Sequence, residues 1–204
     1  GHLFCLIKAA AQDHVGMILG SRLDQAKEVA LGLDIGTNTE VVLVRGGEMI
    51  SCSCASGPAF EGAQIKHGMR AVDGAVNWVK LTGGGKGVLY KTIGGQPPLG
   101  ICGSGILDTV AELYRHSVIN ENGLLNQDHP RVRPGEKNIP EFLLASAQES
   151  KAPCDLVITQ KDISAIQLAK AAIASGTKLL LRELNLGVND LARIVVAGAF
   201  GTYL

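Results

Sequence analysis

The chain has 204 residues, and its 19 basic and 19 acidic side chains cancel at neutral pH. This balance gives no long-range field that would attract nucleic acid or an anionic membrane surface, so we expect small-molecule or protein partners. Apolar residues make up 46% of the chain and aromatic residues only 4%, so an aliphatic core is expected and the chain should fold.

The cysteines indicate a reducing, cytoplasmic setting. The five are odd in number and lack the Cys-x-x-Cys spacing, which argues against a disulfide framework and a closed structural zinc site. Cys52 and Cys54 alternate along a predicted strand, so both thiols should face one side, where burial explains them better than a metal site. No apolar run is long enough to span a bilayer. The chain starts without methionine and closes on an apolar run, so we expect both ends to be cut from a longer protein.

Residues 28–54 predict a three-stranded meander. Three β-rich runs are separated by the turn at residues 34–39 and by Gly46-Gly47, a two-residue hairpin turn that favours positive φ. The first two runs are apolar on both faces, which predicts a sheet covered on both sides. Such a sheet is typical of α/β proteins, the fold class that we expect.

The stretch from residue 57 to 105 is less regular. Phe60 to His67 favours a short helix stopped by Gly68, and Thr82 to Gly87 is interpreted as a flexible glycine loop. This loop is not a P-loop, because the Walker pattern requires Ser or Thr after Gly-Lys. An amphipathic helix follows, with Ile106, Leu107, Val110, Leu113 and Tyr114 on its apolar face and Asp108, Glu112 and Arg115 on its polar face.

Residues 120–152 are rich in Asn, Pro, Arg and Glu, and we interpret them as an internal loop excursion. One short helix is predicted within it, at Pro140 to Ser146. The remaining third of the chain predicts a strand, a helix and a second strand. That order normally forms a right-handed parallel crossover.

The ends of these last elements carry clear signals. The first strand is predicted at residues 155–158 and the second at residues 194–197. Thr159 and Asp162 stand three apart and form a variant capping box that begins the long helix. The helix should extend to about Leu184 and end at Gly187.

The turn after the first strand is the first candidate site. Asp34 is a carboxylate at a strand end, and Gly36 lets the backbone approach a ligand. Thr37, Asn38 and Thr39 offer hydroxyl and amide donors. Together they suit phosphate oxygens, with Asp34 near a hydrated magnesium ion. A hairpin made of ordinary turn formers explains the same residues equally well.

Gly103, Ser104 and Gly105 open the amphipathic helix and are the second candidate. Free amides and the positive end of a helix dipole attract anions, although close packing of this helix explains the glycines somewhat better. The spacing Gly-x-x-Gly-x-Gly differs from the dinucleotide fingerprint, so a Rossmann site is rejected.

A third candidate follows the last buried strand. Gly198, Ala199 and Gly201, around Phe200, would let a planar base lie against the backbone, and a tight strand-to-helix turn explains them slightly better. The sequence does not identify a catalytic residue. His14 has no clear partner in the sequence.

Several segments occur together in an order typical of one family. The most specific are Gly-Pro-Ala-Phe-Glu-Gly at 57–62 and Gly-Ile-Cys-Gly-Ser-Gly at 100–105. The others are Asp-Ile-Gly-Thr-Asn-Thr-Glu at 34–40, Ile-Lys-His-Gly-Met-Arg at 65–70, Ile-Thr-Gln-Lys-Asp-Ile at 158–163 and Ala-Gly-Ala-Phe-Gly at 197–201. On these segments the chain resembles, from Leu31 to Thr202, the C-terminal ATPase-type domain of the reductive activators of corrinoid proteins.

The resemblance implies an actin-like (RNase H-like) α/β fold, shared with sugar kinases and heat-shock ATPases, in which two halves clamp ATP and Mg²⁺. By order, residues 34–40 correspond to the second phosphate turn and residues 198–201 to the adenosine-side turn. The chain would then be mainly the second half of the clamp, one domain fragment over residues 1–204 with its core at 28–204. A 2Fe-2S domain is expected upstream, outside this chain.

The implied activity is ATP-dependent reductive activation of a corrinoid protein, in which cobalt returns from Co(II) to Co(I) during anaerobic methyl transfer. The electron would come from the 2Fe-2S domain. The implied partners are ATP and the corrinoid protein, without nucleic acid or membrane, and a homodimer is allowed. Two alternatives stay open: a docking module that recognises the corrinoid protein through residues 57–70, and a small-molecule kinase of the same fold.

Overall fold

A computed structural model describes residues 12–197. The chain forms two compact units: residues up to Gly57 together with those from Ala169 onwards, and Pro58–Leu168. In chain order, the helices and strands are α1 (Gln12–Gly20), β1 (Ala30–Ile35), β2 (Thr39–Arg45), β3 (Glu48–Cys54), β4 (Ala75–Thr82), β5 (Gly87–Thr92), β6 (Gly100–Ile101), α2 (Gly103–Arg115), β7 (Val132–Pro134), β8 (Pro140–Ala145), β9 (Leu156–Thr159), α3 (Gln160–Glu183) and β10 (Arg193–Ala197). Within residues 12–197, no helix is both long enough and apolar enough to cross a bilayer.

The first unit is built on a four-stranded sheet with the strand order β10-β1-β2-β3. Its strands β1, β2 and β3 are antiparallel, and β10 joins β1 in parallel. Gly46 and Gly47 form the turn between β2 and β3 with positive φ angles of 55° and 89°, which favour glycine. The predicted meander and its hairpin turn are confirmed.

Apolar side chains cover both faces of this sheet, as predicted. On one face the end of α3 packs against the meander through the buried residues Leu31, Val41, Leu43, Cys54, Leu180, Leu181 and Leu184. On the other face α1 and the turn after it pack through Met17, Leu23, Ala26, Ala30, Val42 and Val44. Helix α1 was not predicted from the sequence.

A β-hairpin of β4 and β5 forms the centre of the second unit, and β6 pairs in parallel with the start of β4. The sequence analysis predicted no strands here. Thr82 to Gly87, interpreted as a flexible loop, is the turn of this hairpin, in which Gly83, Gly84 and Gly85 all have positive φ. The three consecutive glycines therefore form the hairpin turn between β4 and β5, where each adopts a positive φ.

Two carboxylates of α2 close the edge of β4 that β6 leaves open. Asp108 accepts a hydrogen bond from the N–H of Val79 at 3.3 Å, and Glu112 accepts one from the N–H of Leu81 at 2.8 Å. Four residues of helix rise about 6 Å and two residues of strand about 7 Å, so acids four apart on α2 match alternate N–H groups of β4.

Because these carboxylates bond to β4, the buried and exposed faces of α2 differ from those predicted. Glu112 was placed on the polar face but is 8% exposed, because the N–H of Leu81 and the helix packing hold it against β4. Tyr114 was placed on the apolar face but is 57% exposed. Helical spacing located α2 correctly. It could not indicate that Glu112 would lie on the packed face and Tyr114 on the exposed face.

Phe60 to His67 does not form the predicted helix. A short 3₁₀ turn at Pro58–Glu61 is followed by Gly62 and Gln64 with φ of 83° and 69°, and left-handed residues interrupt helical hydrogen bonding. Gly68 then returns against Gly62 so closely that a Cβ on Gly68 would overlap the carbonyl oxygen of Gly62. The segment is a compact loop closed by two glycines.

Residues 120–152 are not a loop excursion. They contain β7 and β8, which form an antiparallel sheet with β9 in the order β7-β8-β9. The helix predicted at Pro140 to Ser146 is the strand β8, in which Phe142 and Leu144 are buried. Pairing with a strand on each side outweighs the helical preference of this local sequence.

The start of α3 confirms the predicted capping box. The backbone N–H of Thr159 donates to the Asp162 carboxylate at 2.8 Å, and the N–H of Asp162 donates to Oγ1 of Thr159 at 3.2 Å. The helix extends to Glu183, close to the predicted end. It is followed by Asn185 with φ of 53°, so asparagine, and not Gly187, supplies the left-handed residue that closes the helix.

The predicted parallel crossover across α3 is wrong. The strands on either side of this helix belong to different sheets, because β9 pairs antiparallel with β8 and β10 pairs parallel with β1. Their positions in the sequence were predicted to within one residue. Their partners come from distant parts of the chain, which local spacing does not reveal.

Glu141 in β8 is a buried acid held by two basic side chains. Lys66 Nζ lies 3.0 Å and Arg133 Nε 3.1 Å from its carboxylate oxygens, and Arg133 also lies 2.8 Å from Asp155. Burial alone would raise the pKa of Glu141, but the hydrogen bonds from Lys66 and Arg133 outweigh burial and hold the pKa below its usual value. The folded state therefore favours the ionised carboxylate.

We expect Glu141→Gln to lower the free energy of unfolding at neutral pH by about 1–2 kcal/mol, because charged hydrogen bonds are lost. The contribution of Glu141 is present above the ordinary carboxyl pKa and is lost as the pH falls through the depressed pKa of the folded state. The difference between variant and parent should therefore shrink in acid, as measured by chemical denaturation. Glu136→Gln is the control, since Glu136 is an exposed acid that lines the same surface pocket as Lys66 and Glu141. An equal loss in both variants would contradict the prediction.

Candidate functional site

Asp34 lies at the carboxyl end of β1, where the chain turns into β2. The residue is 7% exposed, and no side chain or backbone group in residues 12–197 donates a hydrogen bond to its carboxylate. Burial raises the pKa of Asp34, His14 acts in the opposite direction, and Asp13 adds to the increase. A buried acid without a partner costs free energy, and such groups cluster at functional sites.

The turn after Asp34 has a rigid base and an exposed tip. The N–H of Gly36 donates to the carbonyl oxygen of Asn38 at 3.2 Å, and Thr37 and Asn38 are exposed. Thr39 is fully buried, and its Oγ1 lies 2.8 Å from Oγ of Ser56. Thr39 therefore supports the turn from below, while Thr37 and Asn38 present their side chains at its tip.

Ser56 is a supporting residue that the sequence analysis missed. It is 6% exposed, and its Oγ lies within 3.5 Å of the Gly36 carbonyl oxygen as well as near Thr39. A signal was present, because Ser56 directly precedes the Gly-Pro-Ala-Phe-Glu-Gly segment. Nothing in its spacing indicated that it would lie beneath the turn.

The last described strand ends beside the same turn. Ala197 of β10 is the register partner of Asp34 of β1, and the two strands are parallel, so their carboxyl ends share one edge of the sheet. The predicted segment of Gly198, Ala199 and Gly201 follows Ala197 directly in sequence and lies outside the described residues. Its role stays a prediction.

Gly103, Ser104 and Gly105 lie in the second unit, at the start of α2. Ser104 Oγ donates to the carbonyl oxygen of Asn77 at 2.9 Å. A Cβ on Gly105 would clash with the carbonyl oxygen of Val76. Close packing of α2 against β4 therefore explains Ser104 and Gly105 structurally, and the ligand role of the three residues stays a prediction.

Cys52 and Cys54 face the same side of β3, as predicted, with their Sγ atoms 4.0 Å apart. Burial raises the pKa of Cys54, which favours the neutral thiol over a metal-binding thiolate. A Cβ on Gly176 of α3 would clash with the Cys54 sulfur, so the helix packs directly on the two thiols. In residues 12–197 no group of three or more His, Cys, Asp or Glu side chains is arranged to hold a metal ion.

His14 of α1 is a residue near the turn that the sequence analysis did not assign. It is 3% exposed, and neither ring nitrogen hydrogen-bonds to any residue of the described chain. The only sequence signal was its distance of three residues from Met17, which places both on one side of a helix. That signal is too weak to identify a site.

The covered sheet, its parallel β1–β10 pair and the acidic turn at their carboxyl ends define a domain of the ASKHA class, the class of the actin-like ATPases. The chain belongs to the family described as the C-terminal domain of RACo, the ASKHA domain, whose model matches residues 28–204.

Three relatives are similar over most of this chain. The corrinoid activation enzyme RamQ of Eubacterium limosum is 39% identical over 94% of the chain and 33% of its own length. A reductase from Methanosarcina barkeri, named for a Co(II) methylated amine-specific corrinoid protein, is 26% identical over 94% of the chain and 36% of its length. The solved structure of a reductive activator for a corrinoid, iron-sulfur protein has a TM-score of 0.85 and 42% identity, over 93% of this chain and 30% of that one. This chain thus spans about a third of each relative.

Proposed function

We propose that this chain is the ATP-binding, energy-coupling part of an enzyme that reductively activates a corrinoid protein, returning its cobalt from Co(II) to Co(I). Membership of the activator family supports the proposal, as do relatives named for corrinoid activation and for reduction of a Co(II) corrinoid protein. Because the chain spans only a third of those relatives, the activity is proposed for the intact protein. In that protein, residues 28–204 form the ATPase-type domain and a separate 2Fe-2S domain supplies the electron.

The nucleotide assignment depends on the position of Asp34. Its buried carboxylate has no described partner and lies where the parallel strands β1 and β10 both end. In open α/β sheets, ligands bind outside the carboxyl ends of the strands. A magnesium ion carried by ATP would supply the missing positive charge, and oxygen ligands are those that Mg²⁺ prefers. The residues at this edge therefore fit a magnesium-bound nucleotide.

The other residues of the proposed site have separate roles. Thr37 and Asn38 at the exposed tip donate to phosphate oxygens, and Gly36 and Thr39 hold the shape of the turn. The adenosine side is assigned to residues 198–201. Residues 103–105 lie in the second unit and are a separate candidate for binding an anion. These roles are inferred from residue type and position.

ATP supplies free energy for a one-electron reduction that is uphill for ordinary donors. A ligand can drive a conformational change only through different affinities for two states. Asp34 contributes to such a difference, because its ionised carboxylate is unfavourable when unpaired and is compensated when a cation faces it. Binding of the magnesium-bound nucleotide at the turn should thus stabilise the first unit.

Calorimetric titration of the intact protein with Mg-ATP tests the assignment. We expect binding, and we expect Asp34→Ala to weaken it roughly tenfold or more, the effect of about one charge-assisted contact. Glu48→Ala is the control, because Glu48 is an exposed acid at the opposite end of β2 and β3. Unchanged affinity in Asp34→Ala would remove Asp34 from the site.

The same preparation separates the alternative functions. Retention of the corrinoid protein without any binding of ATP would favour a docking module. Phosphorylation of a metabolite by the intact protein would favour a small-molecule kinase. ATP-dependent appearance of the Co(I) absorption spectrum, in the presence of a reductant, is the result that the proposed function requires.

A further inference from the structure

Helix α1 covers the sheet face that carries Asp34. Met17 of α1 packs with Ala30 of β1, and a Cβ on Gly32 would lie 3.0 Å from Cε of Met17. Ala30, Gly32 and Asp34 alternate along β1 and therefore face the same side of the sheet. The helix thus packs on β1 with Met17 over Gly32.

The same geometry brings His14 to Asp34. His14 precedes Met17 by three residues, so the two share a side of α1, and Asp34 follows Gly32 by two residues on the covered face. A helical step of three residues rises about 4.5 Å and a strand step of two residues about 7 Å, so His14 and Asp34 each lie one short step from the contact between Met17 and Gly32. Burial has the larger effect on the pKa of Asp34, but His14 also acts on it, in agreement with this proximity.

Both side chains lack partners in the described chain. His14 is 3% exposed, and its two ring nitrogens have no hydrogen-bond partner in that part of the chain. Asp34 is 7% exposed, and no group of residues 12–197 donates to its carboxylate. The other acids near the pair are differently engaged: Asp13 is exposed on α1, and Glu40 accepts a hydrogen bond from Ser53. A buried donor and a buried acceptor are therefore held near the same face of the sheet, and no hydrogen bond joins them, although a buried polar group left unpaired costs free energy.

We propose that His14 is the positioning residue of the site: its imidazole N–H donates to the Asp34 carboxylate when a magnesium-bound nucleotide is held at the turn, and so fixes the direction of the carboxylate. The inference rests on the proposed function, since it assigns the Asp34 turn to the nucleotide. His14 does not touch the nucleotide and acts only through Asp34. Its unpaired state in the free protein is the cost that ligand binding removes.

A double-mutant cycle in the intact protein tests this role. The dissociation constant for Mg-ATP is measured by calorimetry for the parent, His14→Leu, Asp34→Ala and the double variant. We expect His14→Leu to weaken binding about fivefold in the parent and to have no further effect in the Asp34→Ala background. His14→Gln keeps an N–H donor and should restore most of the affinity.

Stability without nucleotide provides a second measurement. His14→Leu removes an unpaired buried imidazole, so the midpoint of chemical denaturation should stay unchanged or rise. A histidine that only fills the core would instead show a lower midpoint and an equal loss of affinity with and without Asp34. That pattern, or unchanged affinity in His14→Leu, would overturn the inference. If His14→Leu does not fold, His14 has a structural role and the inference also fails.

The Mg-ATP affinities of the two single variants also distinguish failure of the His14 role from failure of the proposed nucleotide site. If Asp34→Ala binds Mg-ATP as tightly as the parent, the nucleotide assignment of the turn fails and His14 loses its role with it. If Asp34→Ala weakens binding and His14→Leu does not, only the role of His14 is wrong.

Discussion

Replacing Asp34 with asparagine should make the protein more stable and a poorer nucleotide binder at the same time. The carboxylate is buried and has no donor among residues 12–197, so a neutral amide of the same size removes an unfavourable charge. We expect the free energy of unfolding at neutral pH to rise by about 1 kcal/mol. The affinity for Mg-ATP should fall roughly tenfold or more, because the charge that faces the cation is lost.

The sign of the stability change follows from the raised pKa of Asp34. At a pH well below the ordinary carboxyl pKa, Asp34 is protonated in both the folded and the unfolded state. The parent and Asp34→Asn should therefore be equally stable at that pH. The penalty grows as the pH rises from the ordinary carboxyl pKa to the raised pKa of the folded state and is complete above it, and the stability advantage of Asp34→Asn follows the same course. Denaturation across this range, with Glu48→Gln as the exposed control, provides the measurement. A variant less stable than the parent at neutral pH would show that Asp34 is a structural acid.

Gly68→Ala should be the most damaging small substitution in the second unit. A Cβ at this position would overlap the carbonyl oxygen of Gly62, which is backbone and cannot rotate away. Overpacking costs about 1–3 kcal/mol in a typical core, and a backbone clash belongs at the upper end of that range. We expect a lower midpoint of denaturation and faster proteolysis within residues 58–70.

The control for this substitution is Gly16→Ala. Gly16 lies inside α1 and a Cβ on it would meet nothing within 4 Å. Alanine is the better helix former by up to about 1 kcal/mol, so this variant should be as stable as the parent or more stable. If Gly68→Ala behaved like Gly16→Ala, the close approach of Gly62 and Gly68 would not be a feature of the folded protein.

Elements with local causes were predicted well from the sequence. The meander depends on alternating β-rich runs and a Gly-Gly turn, and α3 begins at a capping box made by Thr159 and Asp162. In each case the residues that determine the structure lie within a few positions of one another. Such signals are visible in the sequence without knowledge of distant partners.

Elements that depend on distant partners were not predicted. Residues 140–145 contain good helix formers, and only pairing with β7 and β9 makes them a strand. The predicted parallel crossover was wrong for the same reason, since β9 and β10 pair in different sheets. The loop at residues 58–68 depends on contact between two glycines six positions apart. Tertiary contacts outweigh local preference in all three.

The candidate site was predicted in part. The residue types at 34–39 indicated an oxyanion turn, but the sequence could not show that Thr39 is buried against Ser56 or that His14 is buried with both ring nitrogens unpaired. Both facts depend on how β3 and α1 lie on the sheet. The residues that we propose to contact the ligand come from the sequence, and the structure adds residues that support the turn.

The carboxylates of Asp108 and Glu112 on the rim of β4 have a consequence for self-association. An open strand edge is a template on which a foreign strand can add, and proteins protect such edges with charge or cover. Here the two acids occupy the N–H groups of Val79 and Leu81 directly, so an incoming strand would have to displace two hydrogen bonds and bury two negative charges. These two hydrogen bonds thereby protect this edge of β4 from strand addition, although no further strand of the described chain covers it.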